Sequence, residues 1–256
     1  MKVISLNIWA GREFDPLMEF ISVHSKNTDI FCFQEVFSTT TKRKRIGGFY
    51  RANVFEEMQK ILPEHKGYFA PIQEKFGYKS SANFDVTWGI AMFIRKSVKV
   101  KKIGDFFIFG KRNGAKKDPT TLPRNLQYTR IFHNGKDYTI GHFHGLFNGN
   151  DKLDHPSRIE QSRKAKKFLK KERDKIILMG DFNLWPETKS IKILEKGMIN
   201  LIKMNKIKTT RNALYKYHKI DKFADYTIVS KNVKVKSFKV PMLKISDHLP
   251  MILEFE

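Results

Sequence analysis

The feature that most constrains this chain is a fully apolar run, Ile176–Met179, that stops at the glycine turn Gly180-Asp181-Phe182-Asn183. A short run without a polar face fits a strand covered on both sides by other layers. Its end then lies at the carboxyl edge of a sheet, and alternation points Asp181 and Asn183 to one side. An Asp there can bind a metal or hold a nucleophilic water, and an Asn amide can donate to a phosphoryl oxygen without adding charge. The bland alternative is an Asx-turn leaving a strand.

Strand-like runs recur elsewhere: Lys2–Asn7, Asp29–Gln34, Gly89–Arg95, Leu126–His133, Tyr138–His144, Lys175–Met179, Tyr226–Ser230, Val233–Val240 and Met251–Phe255. Helical stretches separate several of them. Asp15-Pro16 offers an N-cap and a first-turn proline ahead of Leu17, Met18 and Ile21. Ser157-Arg158-Ile159-Glu160 fits a capping box opening a helix through about Lys171, and Pro186 precedes a short helix carrying Ile191 and Leu194. Strands interleaved with helices indicate a mixed, layered α/β fold, expected as a single domain over 1–256.

Composition supports a packed core: hydrophobic residues are 41% and aromatics 13%, outside the low-hydrophobicity range of disordered chains. No apolar run approaches the roughly 20 residues of a membrane span. The strand-like N-terminus lacks a secretory pattern. Cys32, the one cysteine, lies in an apolar run and reads as a buried structural thiol. These features lead to the expectation of a cytoplasmic monomer. Lys and Arg number 49 against 26 acids, a net charge of +23. Such an excess attracts phosphate polyanions, with nucleic acid the expected partner and an anionic membrane surface the alternative. The basic loops Thr41–Arg45, Gly110–Pro123 and Lys203–Arg211 fit either phosphate contact or plain solvation.

Further candidate residues follow apolar runs in the same way. Asn7 closes the first strand and Glu35 the second, and Glu35 is an oxygen donor suited to Mg²⁺ or Mn²⁺. His142 and His144 end another strand on one face. Asp225 opens a strand, and Asp247 and His248 precede the last one. Zinc is the weaker expectation, because the chain has neither a cysteine ligand set nor an H-E-x-x-H helix.

In order, the motifs read L-N-I-W, Q-E-V, W-G-I-A-M-F-I-R, H-F-H-G, G-D-F-N, A-D-Y and S-D-H-L-P. This series resembles the endonuclease/exonuclease/phosphatase superfamily from Asn7 to His248. The resemblance implies two packed mixed β-sheets flanked by helices, the four-layer α/β sandwich of deoxyribonuclease I-like proteins. It also implies a divalent-metal-dependent phosphodiesterase using Mg²⁺ or Mn²⁺. Glu35 would be the principal metal ligand, with Asn7 and Asp247 in or near the metal shell. Asp181 would act on the attacking water, and Asn183 and His144 would contact the phosphate. His248 would stabilise the transition state, held by Asp225. Flanking acids should favour its imidazolium form.

His142 stands where the family usually has asparagine and is assigned to substrate binding. Trp9 and Trp185 adjoin the motifs and could stack on a base or sugar. Arg158 and Gln161 could reach a flanking phosphate, and Asp85 is a candidate for the acid that often precedes the G-x-A-x-F strand. A nuclease is the leading reading. A sphingomyelinase-like or inositide phosphatase of the same fold, and an inactive polyanion binder, are the alternatives.

Overall fold

The computed structural model describes residues 1–77, 82–115, 119–149, 151–172, 174–216 and 222–256. Strands are β1 (Lys2–Asn7), β2 (Ile30–Ser38), β3 (Arg45–Ile46), β4 (Tyr50–Arg51), β5 (His65–Glu74), β6 (Thr87–Arg95) and β7 (Lys99–Phe109). They continue with β8 (Arg124–His133), β9 (Lys136–His144), β10 (Lys175–Asp181), β11 (Met198–Asn200), β12 (Asp225–Ser230), β13 (Val235–Lys239) and β14 (Met251–Phe255). Helices are α1 (Phe14–Ser25), α2 (Val54–Ile61), α3 (Pro156–Leu169), α4 (Lys189–Glu195) and α5 (Leu201–Met204).

Two six-stranded sheets form, in the orders β13-β14-β1-β2-β6-β5 and β11-β12-β10-β9-β8-β7. Each holds one parallel pair, β1 with β2 and β9 with β10, and its other pairs are antiparallel. The sheets pack face to face. In β1 and β2 the paired residues Val3/Ile30, Ser5/Cys32 and Asn7/Gln34 share one face. Val3, Ile30 and Cys32 join Ile140, Ile177 and Met179 of the other sheet in one core. Ile4, Leu6, Phe31 and Phe33 face the opposite way, against Leu17 and Ile21 of α1 and Val54 and Met58 of α2. On the far side, Ala165 and Leu169 of α3 and Ile191 and Leu194 of α4 cover the second sheet. This is the expected four-layer α/β sandwich.

Differences lie at boundaries and edges. Helix α1 starts at Phe14, so Asp15 is inside its first turn and not its cap. Helix α3 is capped by His155, whose side chain accepts from Ser157 N, with Pro156 as the first helical residue. The expected Ser157 capping box is therefore displaced by an upstream cap. Thr188 caps α4, just beyond Pro186. Among the described residues no helix is long and apolar enough to cross a membrane.

Candidate active site

The inward face of the sandwich turns polar at one end. Asn7 and Gln34 close the inward rows of β1 and β2, and His142, His144 and Asp181 close those of β9 and β10. Asp181 pairs in register with Asp225 of β12, placing two acids side by side, an arrangement that repels unless something compensates. The loop before β14 brings Asp247 and His248, and is tied to β1 by Ser246 Oγ donating to Asn7 O at 2.7 Å.

Simple alternation would turn Glu35 outward, because Gln34 faces in. A bulge between Phe33 and Val36 and a left-handed Glu35 (φ 58) reverse this. A bulge re-aims the side chain it carries, and left-handed backbone in a non-glycine residue is strained by about 1–3 kcal/mol. The result is that Asn7 Nδ2 reaches Glu35 Oε1 at 3.1 Å and Asp181 Oδ2 at 3.0 Å. Asn7 Oδ1 accepts from Trp9 N, which fixes the amide orientation.

Asp181 Oδ2 is the hub of the cluster. Besides Asn7, the Nε2 atoms of His144 and His248 each lie 3.5 Å from it. Its other oxygen accepts from Asn183 N at 2.9 Å, so the Asx-turn is present and serves to orient the carboxylate. Asn183 is itself left-handed (φ 52), and its amide donates to Gly145 O at 3.2 Å. Gly180 ahead of it has φ 130, and a Cβ there would meet Phe143 O at 2.2 Å, so only glycine allows this close strand approach.

His248 Nδ1 lies 2.9 Å from both Asp225 oxygens. Burial pushes Asp225 up to about 7 and His248 down to about 4. In both cases desolvation penalises the charged form, and Arg211 adds to the effect on His248. Burial thus works against the imidazolium that the flanking acids were expected to favour. His144 is likewise held well below the usual histidine range, by burial and then by Arg124.

Asp181, Asp225, His248 and Asp247 are all under 5% exposed, and Glu35 stands at the more open side with a 15% exposed side chain. Asp181, Asp225 and His248 offer ligand atoms within 4.8 Å of one another and could hold a metal ion. Because Asp225 already engages His248, the better donors for a hard cation are Glu35 and Asp181, whose carboxylates share the Asn7 amide. Clustered, mostly buried carboxylates without thiolates suit an oxygen-seeking divalent ion.

Other expected residues fall outside this cluster. His142 is fully buried, with Nδ1 2.9 Å from Gln34 Nε2 and Nε2 2.8 Å from Gln127 Oε1. It ties the sheets together beneath the site, and substrate has no access to it. Arg158 is fully buried, donating to the carbonyls of Leu146, Asp151 and Leu153 and to the Asp151 carboxylate. It shapes the loop after β9 and cannot contact a substrate phosphate; Gln161 accepts from Leu146 N in the same loop. Trp9 and Trp185 are partly exposed, and Trp9 carries the Arg12 guanidinium 4.2 Å over its ring. Asp85 is exposed and lines a separate cleft of ≈ 340 Å³ with Ser38, Thr39 and Glu74. Of the basic loops, Thr41–Arg45 lies largely on the surface, and residues 116–118 of Gly110–Pro123 are outside the described residues.

Sequence reasoning gave no role to Arg124 and Lys152, met Trp88 only as the first residue of a motif, and met Arg211 only as the end of a basic loop. The Trp88 ring lies 5.7 Å from that of His144, and the Arg124 guanidinium sits 5.1 Å over Trp88. Arg211 pairs with Asp247 at 2.8 Å. In a chain with 49 cations, single buried ones give no distinguishing signal.

A family model described as the Endonuclease/Exonuclease/phosphatase family matches residues 4–248. No curated protein matches the sequence. The structure is similar to a family protein from Leptotrichia buccalis C-1013-b, at 19% identity and TM-score 0.73, covering 100% of this chain and 99% of that one. It is also similar to the mannosyl-6-phosphatase of Bacteroides thetaiotaomicron VPI-5482, at 18% identity and TM-score 0.66, covering 100% and 99%. A humanized D. rerio TDP2 matches at 15% identity and TM-score 0.65, covering 100% and 98%. At such identities the likeness concerns the fold.

Proposed function

The chain belongs to the Endonuclease/Exonuclease/phosphatase family, and from that premise we propose that it is a divalent-metal-dependent phosphodiesterase acting on nucleic acid. The observation that carries this reading is the hub at Asp181 Oδ2, met by Asn7 at 3.0 Å and by His144 and His248 at 3.5 Å. A carboxylate so placed can orient and deprotonate a water while the imidazoles face the oxygens of a bound phosphate.

Glu35 with Asp181 would hold the cation, Mg²⁺ or Mn²⁺, which when bound neutralises phosphate charge and polarises the reacting bond. Asn7 spaces the two carboxylates. Asp225 fixes the His248 ring so that Nε2 points into the cleft. An anionic phosphate at Nε2 favours protonation there and so works against the effect of burial on the ring. His248 then donates to the oxygens as negative charge builds. Asn183 keeps a second amide hydrogen for the same purpose.

The substrate class rests on charge. A field of +23 suits a long polyanion better than an isolated headgroup or sugar phosphate. The mannosyl-6-phosphatase among the similar structures makes a small phosphate ester the competing substrate. The test is a panel of labelled single- and double-stranded DNA, RNA and small phosphate esters, with Mg²⁺, with Mn²⁺ and with excess EDTA. Cleavage of oligonucleotides that EDTA abolishes is expected. Turnover confined to small esters would remove the nuclease assignment, and full activity of metal-free protein would remove the metal.

A further inference from the structure

Arg211 belongs to none of the motifs above, yet it is built into the site. It forms an isolated antiparallel bridge with His248, and its Nη1 donates to Asp247 Oδ2 at 2.8 Å, the two side chains being 8% and 5% exposed. Its Nε is buried without a hydrogen-bond partner. The Tyr215 ring lies beneath the guanidinium at 4.2 Å, and Lys152 approaches the same ring at 4.9 Å while its Nζ donates to the Tyr215 hydroxyl. The Asp247 side of the cleft therefore contains a permanent cation on a rigid support. On the neighbouring strand, Asp225 is engaged by His248.

A divalent ion coordinated by Asp247 would compete with the guanidinium for one buried carboxylate, and the two positive charges would repel at contact distance. Arginine keeps its charge throughout the accessible pH range. We propose that Arg211 is a positioning residue that withholds Asp247 from metal coordination, so that the cleft takes a single divalent ion on the Glu35 side. The expectation that Asp247 is a ligand is replaced by a fixed ion pair. This rests on the metal-dependent reading above, and its test separates the two.

The probe is Mn²⁺ titrated into the full chain by calorimetry, with free Mn²⁺ followed by electron paramagnetic resonance. Wild-type protein should bind one ion per chain. Glu35→Gln should weaken it by at least about tenfold, and Asp247→Asn should leave its affinity within about threefold. Arg211→Gln should admit a second ion, and Arg211→Lys should restore single occupancy. Two ions on the wild type, or Asp247→Asn weakening the first ion as much as Glu35→Gln does, would overturn the inference and leave the metal reading intact. No Mn²⁺ binding by the wild type would overturn both. Should Arg211→Gln fail to fold, the Asp247→Asn comparison still decides.

Discussion

Replacing His142 by alanine separates a structural from a substrate-binding role for this histidine. Its Nε2 faces a pure acceptor, Gln127 Oε1, so that nitrogen carries the hydrogen and Nδ1 accepts from Gln34. Removing the ring strands Gln127 Oε1, whereas Gln34 Nε2 keeps a contact with Cys32 O at 3.2 Å. One orphaned buried acceptor costs about 1–3 kcal/mol, and the unfilled space adds to that. A total near 3 kcal/mol lowers Tm by about 6–12 °C in a chain of this size. Asparagine can replace part of the bridge and should lose about half as much. Calorimetric or fluorescence melting measures the loss, and kcat is read well below the lower Tm, where it should stay within about threefold of wild type. A variant with unchanged Tm and kcat reduced by about 10² or more would place His142 in the chemistry and refute the reasoning.

Other outcomes follow from the same geometry. Asp181→Asn should reduce turnover by at least about 10²-fold with unchanged melting and nearly unchanged oligonucleotide binding; retention of most of the wild-type kcat would move the active site elsewhere. Burial lowers His142 from 6.5 to about 3, so the unfolded chain takes up a proton that the folded chain refuses. Its contribution is complete above about pH 6.5 and falls by about 1.4 kcal/mol per unit as pH drops toward 3. Asp225, raised to about 7, works in the opposite sense, so the test is a difference: Tm should drop less steeply from about pH 7 to about pH 5 in His142→Asn than in wild type. Equal slopes would refute it. For a nucleic-acid substrate, binding by Asp181→Asn should fall with salt at a log–log slope steeper than about −3, against about −1 for a ligand presenting one or two phosphates.

The sheet ladder was legible because its central strands obey one rule. Lys2–Asn7 and Met251–Phe255 match their runs residue for residue, and the chemistry-bearing residues lie at or beside the ends of such runs. The missed strands break that rule for physical reasons. Strand β5 carries Gly67 and Pro71, which its position at a sheet edge and a bulge at Pro71/Gln73 make tolerable. Strand β7, also an edge, has its alternation interrupted by a bulge between Val100 and Lys102. Within the site, the motif order located Asn7, Glu35, Asp181, Asn183, Asp225, Asp247 and His248. It could not show which side of the cleft each acid serves, since the Arg211–Asp247 pair joins residues 36 positions apart. It separated His142 from His144 only through the resemblance and could not show that His142 lies out of reach, since the two share a strand face. Depth in the sandwich, a property of the other sheet, decides that one braces and the other faces the cleft.

The left-handed backbone at Glu35 sets the protein's endurance against its chemistry. Glycine or asparagine would sit more comfortably at φ 58 than glutamate does. A laboratory selection that rewards only survival of heat has reason to discard this carboxylate early, and the survivors would be sturdier and inert. Engineering for robustness must therefore score turnover in every round, and gains are better sought on the far face, among α3 and α4, where no backbone is held against its preference.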